Sequence, residues 1–567
     1  MKFYLYKQAR MYSRVFLQIM GGVNILAIAS SIAHAEVVIP DSGTITKQLN
    51  SEQFKETPKT DQQYFGTDSS RQNYSQDQTP IWVTKVQIEG NQKIATAVLH
   101  DLVKSLENKN NVLADLQLGA EQITQYYKKQ SYFLAKAYLP KQKLENGILV
   151  IRILEGQLGQ VILSNQSKIK DTTITRYTDQ IPHDQALQQL QSNKTLLLIS
   201  DLSGIGKIQA SLQAGEQTGQ TDLVLDILGQ PTWVGRIGID NAGSSYTGKY
   251  RLSGYLESSS LLGYGEKLSA QLLGSNQDLV SGSLNARLPI TGTGLWLGGG
   301  YSRTEYELGE QFKQLDATGT SENYNLNLVY PLIRSQKTNL DLKLLLEKRK
   351  LFDEIAVTDT ETSKHIDASR ITLNFSRMDD WGIGDMKGGI NQLEFITTVG
   401  NLKIQSPSAL NIDRLSAKTQ GAFYKHELKL SRQQRLTAYS WVTSELYGQL
   451  ASKNLDSAEK FSLNPMRAYP IAEGLGDQGW GASINVYHQL TPFLNAYLFQ
   501  DVGKTQQNKN PYLTDKNSRS LASTGIGIAG GYKGFDYNAS IAWRDTSAAK
   551  SDKDQQPRLQ FGAGWRF

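Results

Sequence analysis

The 567-residue chain contains no cysteine. No disulfide can therefore stabilise it, and no thiolate can act as a nucleophile or a metal ligand. Histidine is scarce, and beyond the first 35 residues no two histidines stand at a metal-ligand spacing; they are His100, His183, His365, His426 and His488. The sequence also has no serine elbow of the hydrolase type. We predict no catalytic residues, no metal and no cofactor, and expect that the protein is not an enzyme.

Long apolar runs are also missing. After residue 35 no stretch approaches the roughly 20 apolar residues that a membrane-spanning helix needs, and the mean hydropathy is −0.41. The net charge of +6 is small for this length and is not gathered into a basic stripe, so a nucleic-acid partner is not expected. Two architectures remain. One is a soluble periplasmic protein, and the other is a β-barrel whose strands carry their apolar residues in alternation.

The first 35 residues have the pattern of a secretory signal peptide. A basic start precedes an apolar run over 15–32, and Ala33-His34-Ala35 offers a small-x-small cleavage site. The basic residues are Lys2, Lys7, Arg10 and Arg14. The alternative is an N-terminal membrane anchor, which the polar residues within the run disfavour.

Two short regions follow the predicted signal. Residues 36–53 contain a helical candidate, with Pro40 near its start and Ile45 and Leu49 four residues apart. Residues 54–80 are rich in Gln, Asp, Ser, Thr and Lys and hold few aliphatic residues. Because such a segment cannot bury enough apolar surface to fold, we predict a flexible linker there.

Residues 81–156 predict a small α/β unit. We expect a strand over 81–88 closed by Gly90-Asn91, helices over 96–106 and 118–129, and strands over 133–139 and 148–154. Residues 157–230 repeat this order more loosely. Strands are predicted at 158–163, 208–212 and 223–228, with helical segments around Ile174 and over 186–198.

From 231 to 567 apolar and polar residues alternate between Gly, Asn, Asp and Ser turns. Segments 436–450 and 480–490 each have one apolar and one polar face, as lipid and a polar interior would require. A soluble sandwich would show the same alternation. The last strand favours the barrel because it ends on an aromatic residue, Phe567, which resembles the signature that outer-membrane assembly machinery recognises.

At this point the sequence resembles a known family, the outer-membrane transporters of two-partner secretion, also called haemolysin-activator-type proteins. Three stretches carry the resemblance to two POTRA domains and a barrel entry; they are Ala135–Gly156, Leu197–Gly204 with Thr221–Leu225, and Asp240–Gly265. Met466-Arg467-Ala468-Tyr469-Pro470, followed by Glu473-Gly474-x-Gly476-Asp477, looks like the family's sixth-loop motif. Phe499-Gln500-Asp501 looks like the lumen strand motif that receives it. Met466 and Ala468 depart from the commonest superfamily form, which has Val and Gly there.

The resemblance implies a mainly β protein with a 16-stranded transmembrane barrel, two periplasmic POTRA domains (81–156 and 157–230) and an N-terminal plug helix over 36–53. Residues 231–567 allow about 21 residues per strand and connection, which also permits fourteen or eighteen strands. The implied location is the outer membrane of a Gram-negative bacterium. The implied partners are outer-membrane lipid, the barrel-assembly machinery and a large β-helical secreted protein, and a monomer is expected. The cargo class stays open, since adhesin, haemolysin and contact-dependent inhibition toxin all fit.

Strand parity gives a further hypothesis about the two motifs. Leu494, Ala496 and Leu498 share one face, so Phe499 and Asp501 belong to the lumen side. A carboxylate there needs a cation, and Arg467 on the inward-folded loop would supply it by two parallel hydrogen bonds. The alternative makes Arg467 a solvated loop residue and Asp501 a rim carboxylate.

The implied function is ATP-independent export of an unfolded partner protein through the barrel pore, with the POTRA domains as its receptor. A barrel-assembly insertase of the same superfamily is the second hypothesis, and it would normally carry more POTRA domains and no plug helix. A passive porin would carry no POTRA domain at all.

Overall fold

The computed structural model describes residues 39–50, 77–182, 186, 189–217, 219–383, 386–514, 516–553 and 555–567. The predicted signal peptide and most of the predicted linker therefore lie outside the described residues. The first described element is the helix α1 (Ser42–Asn50), which lies within the segment 36–53 predicted for it; residues 36–38 and 51–53 lie outside the described residues. No helix in the described ranges has the length and apolar character needed to cross a membrane.

The first α/β unit follows the predicted order with shifted boundaries. It consists of β1 (Ile81–Val83), β2 (Lys85–Glu89), α2 (Thr96–Val103), β3 (Lys109–Asn111), α3 (Leu113–Lys129), β4 (Lys136–Tyr138) and β5 (Ile148–Leu154). Strands β2, β5 and β4 form one sheet, with β2 parallel to β5, while β1 pairs with β3. The helices cover one face of the sheet and bury a core that includes Leu99, Ile123 and Ile151.

The second α/β unit has the same kind of sheet. Its elements are β6 (Gln157–Gln166), α4 (Asp171–Thr178), α5 (Gln189–Ser200), β7 (Ile205–Ala214) and β8 (Gln220–Gly229). The strand order is β6-β8-β7, and β6 runs parallel to β8. Every predicted strand and helix of this unit is present, and each strand is longer than predicted because its polar ends also pair.

Sixteen antiparallel strands then close into a barrel. They are β9 (Trp233–Asp240), β10 (Arg251–Ser259), β11 (Lys267–Ser275), β12 (Val280–Pro289), β13 (Trp296–Glu307), β14 (Ala317–Arg334), β15 (Thr338–Ile355), β16 (Thr360–Ile383), β17 (Met386–Ile404), β18 (Gly421–Arg435), β19 (Ser440–Ala451), β22 (Gln478–Thr491), β23 (Leu494–Gln506), β24 (Ser518–Tyr532), β25 (Phe535–Arg544) and β26 (Arg558–Arg566). The short strands β20 (Phe461–Ser462) and β21 (Leu475–Gly476) pair with each other, and α6 (Pro407–Leu415) lies between β17 and β18. Strand β26 pairs with β9 and closes the ring. The prediction of a closed 16-stranded barrel is confirmed.

Apolar side chains face outward around the ring. Leu326, Leu446 and Ile484 are each about half exposed, which is where a lipid-facing side chain should be. Their sequence neighbours point inward because successive residues of a strand point to opposite faces. The predicted strand over 436–450 begins later than expected, at Ser440, because the N–H groups of Leu436 and Thr437 donate to the Ser440 carbonyl and close a tight turn before the strand.

The second α/β unit is fastened to one end of the barrel. Arg334 donates two hydrogen bonds of 2.8 Å to the Asp201 carboxylate, and Lys170 N donates to Gly263 O at 2.9 Å. Trp296 of β13 lies in the hydrophobic core of this unit, with Ile174 and Leu198. This end of the barrel therefore carries the turns 260–266, 290–295 and 335–337, and the longer connections, including 452–477, lie at the far end.

Candidate functional site: a loop and a helix inside the barrel

The connection between β19 and β22, residues 452–477, is the sixth at the far end of the barrel, and we call it loop 6. It carries the predicted sixth-loop motif. Instead of extending away from the barrel, loop 6 returns to the inner wall, where Met466, Ala468 and Tyr469 are buried with Phe499 in one hydrophobic cluster. The motif and the strand that was predicted to receive it are in contact.

Arg467 of loop 6 meets Asp501 of β23 with both ends of its guanidinium. Its Nε donates to Asp501 Oδ2 at 2.9 Å and its Nη2 to Asp501 Oδ1 at 2.6 Å. The guanidinium carbon also lies 3.5 Å from the centre of the Phe499 ring. This is the fork geometry that arginine favours for a carboxylate, reinforced by a cation–π contact.

Asp501 is fully buried, and its carboxylate accepts further hydrogen bonds from the neighbouring strands. Ser483 Oγ donates to Oδ1 at 2.8 Å and Ser523 Oγ to Oδ2 at 3.1 Å. The backbone N–H of Arg467 donates to the same carboxylate at 3.2 Å. Because Ser483 and Ser523 are the register partners of Asp501 on β22 and β24, three strands present this acceptor to the loop.

Two more residues of the loop hold it against the barrel rim. The Tyr469 hydroxyl donates to Ser547 O at 2.9 Å. The Glu473 carboxylate accepts from the backbone N–H groups of Lys550 and Ser551, at 2.8 Å each for the shorter contacts, and pairs with Arg519. Pro470 is buried beside Tyr469. These contacts fasten loop 6 to the last connection of the barrel.

Asp477 ends loop 6 and is also fully buried. Its carboxylate accepts from Lys460 Nζ at 2.9 Å, from Leu455 N at 3.1 Å and from Lys509 N at 2.7 Å. It thus joins the two ends of the loop to the neighbouring connection 507–517. The Glu–Gly–x–Gly–Asp tail of the motif has a structural role. Its two carboxylates, Glu473 and Asp477, accept hydrogen bonds from backbone N–H groups of the far-end connections.

Glu459, at the end of a 3₁₀ turn over Ser457–Glu459, is the centre of a buried ion cluster. It lies 3.0 Å from Lys425 of β18, 3.1 Å from Arg349 of β15 and 3.5 Å from Arg370 of β16. Glu347 adds a second carboxylate, 2.9 Å from both arginines. Removing one partner of such a cluster would leave an uncompensated buried charge, which typically costs 3–5 kcal/mol.

Helix α1 packs between this turn and the barrel wall. Asp41 caps it, since its Oδ1 accepts from Thr44 N at 2.9 Å. Its other oxygen accepts from Ser457 Oγ at 2.6 Å and lies 3.3 Å from Lys364 Nζ. Lys364 in turn lies 2.8 Å from Asp456 of loop 6. One carboxylate therefore starts the helix and ties it to loop 6.

The first turn of α1 also touches β15 and loop 6 directly. Ser42 donates from its N–H and its hydroxyl to Asp353 of β15, at 2.7 and 2.8 Å. A Cβ on Gly43 would lie 2.7 Å from Ala458 N. Real Cβ atoms are not found so close to a backbone nitrogen, so a larger residue at position 43 would force the helix and the loop apart.

The three residues predicted for the plug helix, Pro40, Ile45 and Leu49, lie in different surroundings. Ile45 is buried with Tyr246, Tyr306 and Phe312 in a cluster formed by the far-end connections, and Leu49 packs at its margin. Pro40 is buried just before the helix. The helix thus lies in the lumen near the far end of the barrel, with its apolar side against the connections that follow β9, β11 and β13.

The remaining predicted site residues are Gln500 and Phe567. Gln500 is the middle residue of the predicted lumen motif, but its side chain points away from the lumen and donates to Asp545 at 3.0 Å, because strand neighbours alternate. Phe567 follows β26, and its backbone exchanges two hydrogen bonds with Gly235, at 2.9 and 3.0 Å. Its exposed ring lies against Gly235 at the outside of the closing seam.

Sequence reasoning missed the partners of α1 and the ion cluster. Glu459, Lys425 and Arg349 lie on three elements that are far apart in the chain, and their pairing follows from barrel closure. The sequence did contain one indication of the cluster, because strand alternation places Lys425, Arg349 and Arg370 on the inward faces of their strands. In the described residues no group of His, Asp and Glu side chains has the arrangement of a metal site.

Hydrogen bonds also hold the elements of the first α/β unit together. Glu155, from the predicted Glu-Gly motif, accepts from the backbone N–H groups of Gln92 and Lys93 at 2.7 Å and from the Tyr127 hydroxyl at 2.8 Å. Burial and this carboxylate raise the pKa of Tyr127 above its usual range. These bonds connect the turn after β2, the helix α3 and the end of β5.

Two protein-family models match this chain. The model of the haemolysin secretion/activation protein family, ShlB/FhaC/HecB, matches residues 219–530, and that of the ShlB-type POTRA domain matches residues 81–156. The chain belongs to this haemolysin secretion/activation family. It is accordingly an outer-membrane transporter of the two-partner secretion type, and its POTRA units are periplasmic.

Individual relatives span nearly the whole chain. The heme/hemopexin transporter protein HuxB of Haemophilus influenzae (strain 86-028NP) is 27% identical over 534 residues, which cover 91% of this chain and 93% of the relative. The outer membrane transporter CdiB of Dickeya dadantii is 20% identical and covers 77% of this chain and 78% of its own.

Solved structures show the same fold. CdiB from Escherichia coli superposes with a TM-score of 0.67 at 17% identity, covering 88% of this chain and 93% of its own. CdiB from Acinetobacter baumannii gives a TM-score of 0.60 at 15% identity, covering 92% and 96%. The resemblance predicted from the sequence motifs is confirmed, and the transporter's partner is a large secreted protein, as the family implies. The family is one of secretion proteins and not of enzymes.

Proposed function

We propose that this transporter exports its partner as an unfolded chain through the barrel lumen, without ATP, and that α1 and loop 6 close the lumen at rest. The observation that carries the proposal is the position of both elements inside a closed barrel, tied to each other through Asp41, Ser457 and Lys364. A barrel of sixteen strands is wide enough for a channel. With its lumen occupied it would conduct little.

The helix is the part suited to leave. It has nine residues, and an isolated helix of that length is marginal in water. If residues 54–80 form the flexible linker that their composition predicts, the linker would have a random-coil reach of roughly 25–30 Å, which is comparable to the apolar thickness of the membrane. Loop 6, by contrast, is held by buried bonds at Arg467, Glu473 and Asp477. A frayed N-terminal tail is the alternative. The Asp41 cap and the burial of Ile45 among the far-end connections argue against it.

The proposal that export needs no ATP is supported by the lack of a nucleotide-binding loop motif in the sequence. The sequence has no Gly-rich turn ending in Gly-Lys-Ser/Thr before a helix, and Gly503-Lys504-Thr505 lies within strand β23. Passage through the lumen favours an unfolded chain because loop 6, docked on the inner wall by Arg467, narrows the cross-section even after the helix has left. We propose that folding of the cargo into a β-helix outside the cell draws the chain through.

The POTRA units are proposed to receive the cargo by strand addition. The sheets β2-β5-β4 and β6-β8-β7 each end in edge strands, and an added strand gains backbone hydrogen bonds whatever its side chains are. HuxB is named a heme/hemopexin transporter and CdiB an outer membrane transporter. We propose a large adhesin, haemolysin or contact-dependent inhibition toxin as cargo.

The remaining partners follow from the barrel's surface. The outward apolar belt would contact outer-membrane lipid, and the C-terminal strand ending in Phe567 would be read by the barrel-assembly machinery. We expect a monomer, because one chain closes the whole ring. The insertase hypothesis is not favoured, since the chain carries two α/β units and a helix in the lumen.

The closing role of α1 is tested by Gly43→Val in the full chain. Because the side chain would meet the backbone of Ala458, we expect the helix to leave its seat and the single-channel conductance in planar bilayers to rise several-fold. Gly274→Val is the matched control, since a Cβ at Gly274 meets no atom within 4 Å. Unchanged conductance in a normally assembled Gly43→Val barrel would show that α1 does not close the pore.

A further inference from the structure

One sector of the inner wall of the barrel, on β12–β14, presents uncharged polar side chains. On β12, β13 and β14 the inward-facing residues of 281–285, 298–304 and 321–327 are all uncharged. Ser283 pairs with Ser302, which pairs with Asn323, and Asn285 reaches Asn325 across Gly300. We call these inward residues of β12–β14 the amide wall. The alternate residues on the same strands, such as Leu284 and Leu326, are exposed to the outside.

Glycines keep the amide wall shallow. A Cβ at Gly300 would lie 2.8 Å from Asn325 Nδ2, and one at Gly298 would lie 2.7 Å from Asn327 Oδ1. The asparagine side chains therefore lie flat over the glycines instead of projecting into the lumen. This wall offers amide and hydroxyl groups and leaves the space in front of it free of long side chains.

On the β15 side, the amide wall is bordered by Glu347 and Arg349, which are the register partners of Asn325 and Asn323 and belong to the ion cluster around Glu459. On the β10–β13 side, the charges near the wall lie toward the two ends of the barrel. Toward the POTRA units, Glu257 pairs with Lys267 at 2.8 Å, and Arg287 stacks on Trp296 at 4.2 Å. At the far end Arg251 pairs with Asp240 at 2.7 Å. The middle of the wall thus presents dipoles without formal charge.

Loop 6 takes its partners along the ring from β15, which adjoins the amide wall, to β24, and its Arg467 and Glu473 contacts lie on β22, β23 and β24. Its buried ion pairs and hydrogen bonds go to β15, β16, β18, β22, β23 and β24, through Glu459, Arg467 and Glu473. In the circular order of the sixteen strands, β12 stands eight places from β22 and β13 eight places from β23. The amide wall therefore faces the wall on which the Arg467 contact is made.

Helix α1 stands at the far end of the amide wall. Ile45 packs on Leu279, which precedes β12, on Leu308, which follows β13, and on Ala317 at the start of β14. The polar start of the helix, with Asp41, faces loop 6 instead. When the helix leaves, the exit that it uncovers is that of the amide wall.

We propose that the exported chain runs in extended form along the amide wall of β12–β14, while loop 6 stays docked on the opposite wall. This inference rests on the proposed function and adds the path that the exported chain takes through the lumen. A charged wall would hold oppositely charged cargo residues by charge-assisted hydrogen bonds, which are about twice as strong as the neutral bonds that amides and hydroxyls form and readily exchange with water. A surface of many weak, interchangeable bonds suits a backbone that must keep moving.

The absence of cysteine makes a direct test possible, because each engineered cysteine is the only one in the chain. Asn285→Cys on β12 and Asn485→Cys on β22 are the same substitution on opposite walls, each placed in full-length protein carrying Gly43→Val. The probe is an unstructured glycine–serine polypeptide with one activated cysteine, added to the POTRA side of planar bilayers while the conductance is recorded. Ser283→Cys and Thr443→Cys form a second pair.

We expect disulfide-linked peptide at Asn285→Cys and Ser283→Cys to exceed that at Asn485→Cys and Thr443→Cys by about tenfold, because effective concentration falls steeply away from the path. Equal linkage on both walls, or more on β19 and β22, overturns the proposal. A conducting channel without linkage at any position also overturns the path but leaves the proposed function standing. A channel that neither conducts nor links overturns both.

Discussion

At the scale of single residues, the Arg467–Asp501 contact concentrates several interactions on one buried carboxylate. Asp501 accepts from the guanidinium, from the Arg467 backbone and from Ser483 and Ser523. Ser483 and Ser523 are on the neighbouring strands β22 and β24, whereas the charged partner, Arg467, comes from loop 6. This pair therefore contributes to the position of loop 6 together with the contacts of Glu459, Glu473 and Asp477.

We expect Arg467→Lys to be nearly as damaging as Arg467→Ala. Lysine keeps the charge but loses the two-bond fork and the stacking on Phe499, and each lost charge-assisted bond weakens loop docking by about 1.5–3 kcal/mol. Limited proteolysis of loop 6 in detergent-solubilised protein measures the effect as faster cleavage. Arg377→Ala, at an exposed position of β16, is the control. Wild-type cleavage rates in Arg467→Lys would show that charge alone holds the loop.

Parity along β23 predicted the lumen position of Phe499 and Asp501 because alternation in a strand is purely local. The same rule places Gln500 on the outer face, so grouping it with the lumen residues followed the motif and not the geometry. The cluster around Glu459 was not predictable from spacing, since Lys425 and Arg349 meet it only when β15 and β18 take their places in a ring.

At the scale of elements, a carboxylate joins β2 to α2 in the first POTRA unit. Glu107 accepts from Val86 N at 2.8 Å and contacts His100 Nε2 at 2.9 Å. The hydrogen bond from the Val86 N–H, followed by that from His100, holds the pKa of Glu107 below its ordinary value of 4.5. A lowered pKa in the folded state means that the stabilisation is present above the unfolded-state pKa and is lost as the pH falls through the folded-state pKa.

We therefore expect acid to loosen this junction. In the full chain, amide hydrogen exchange at Val86, corrected for the intrinsic pH dependence, should speed up as the pH falls below about 4.5. The Glu107→Gln variant should show a smaller change over the same range, since its side chain does not titrate. Glu121→Gln, on the exposed side of α3, is the control. A parallel response in wild type and Glu107→Gln would rule out this carboxylate as the cause.

Secondary-structure patterns predicted which elements exist more reliably than where they end. The strand Ile148–Leu154 has the predicted limits because Asn146-Gly147 forces a turn before it. The predicted strand over 81–88 is instead split at Thr84, whose N–H bonds to Gly147 O. Its first part pairs with Lys109–Asn111, a non-local partner that no local pattern specifies.

At the scale of the whole molecule, the POTRA units and the barrel meet through polar and apolar contacts together. Arg334 and Asp201 form a two-bond ion pair, and Trp296 and Leu198 lie in a shared core. The barrel and its sixteen strands followed from the family resemblance and the alternating pattern. The mode of attachment did not, because each contact joins residues more than 90 positions apart.

We expect Arg334→Ala to loosen the second POTRA unit without unfolding it. The loss of a two-bond ion pair, about 1.5–3 kcal/mol, should broaden the distance distribution between spin labels at Ser164→Cys and Gln336→Cys. Arg303→Ala removes an exposed outward arginine that pairs with Glu322 and should leave the distribution unchanged. An equally narrow distribution in Arg334→Ala would mean that the Trp296 core alone sets the orientation.

Trp296 also has a consequence for biogenesis. The largest aromatic residue in the core of a periplasmic unit is supplied by a membrane strand, so that core stays incomplete until the strand reaches its place in the bilayer. Loss of a large aromatic from a core costs about 3–5 kcal/mol. We therefore expect membrane insertion and completion of this periplasmic core to be coupled, so that a chain stalled before insertion would expose an incomplete second POTRA unit to proteases.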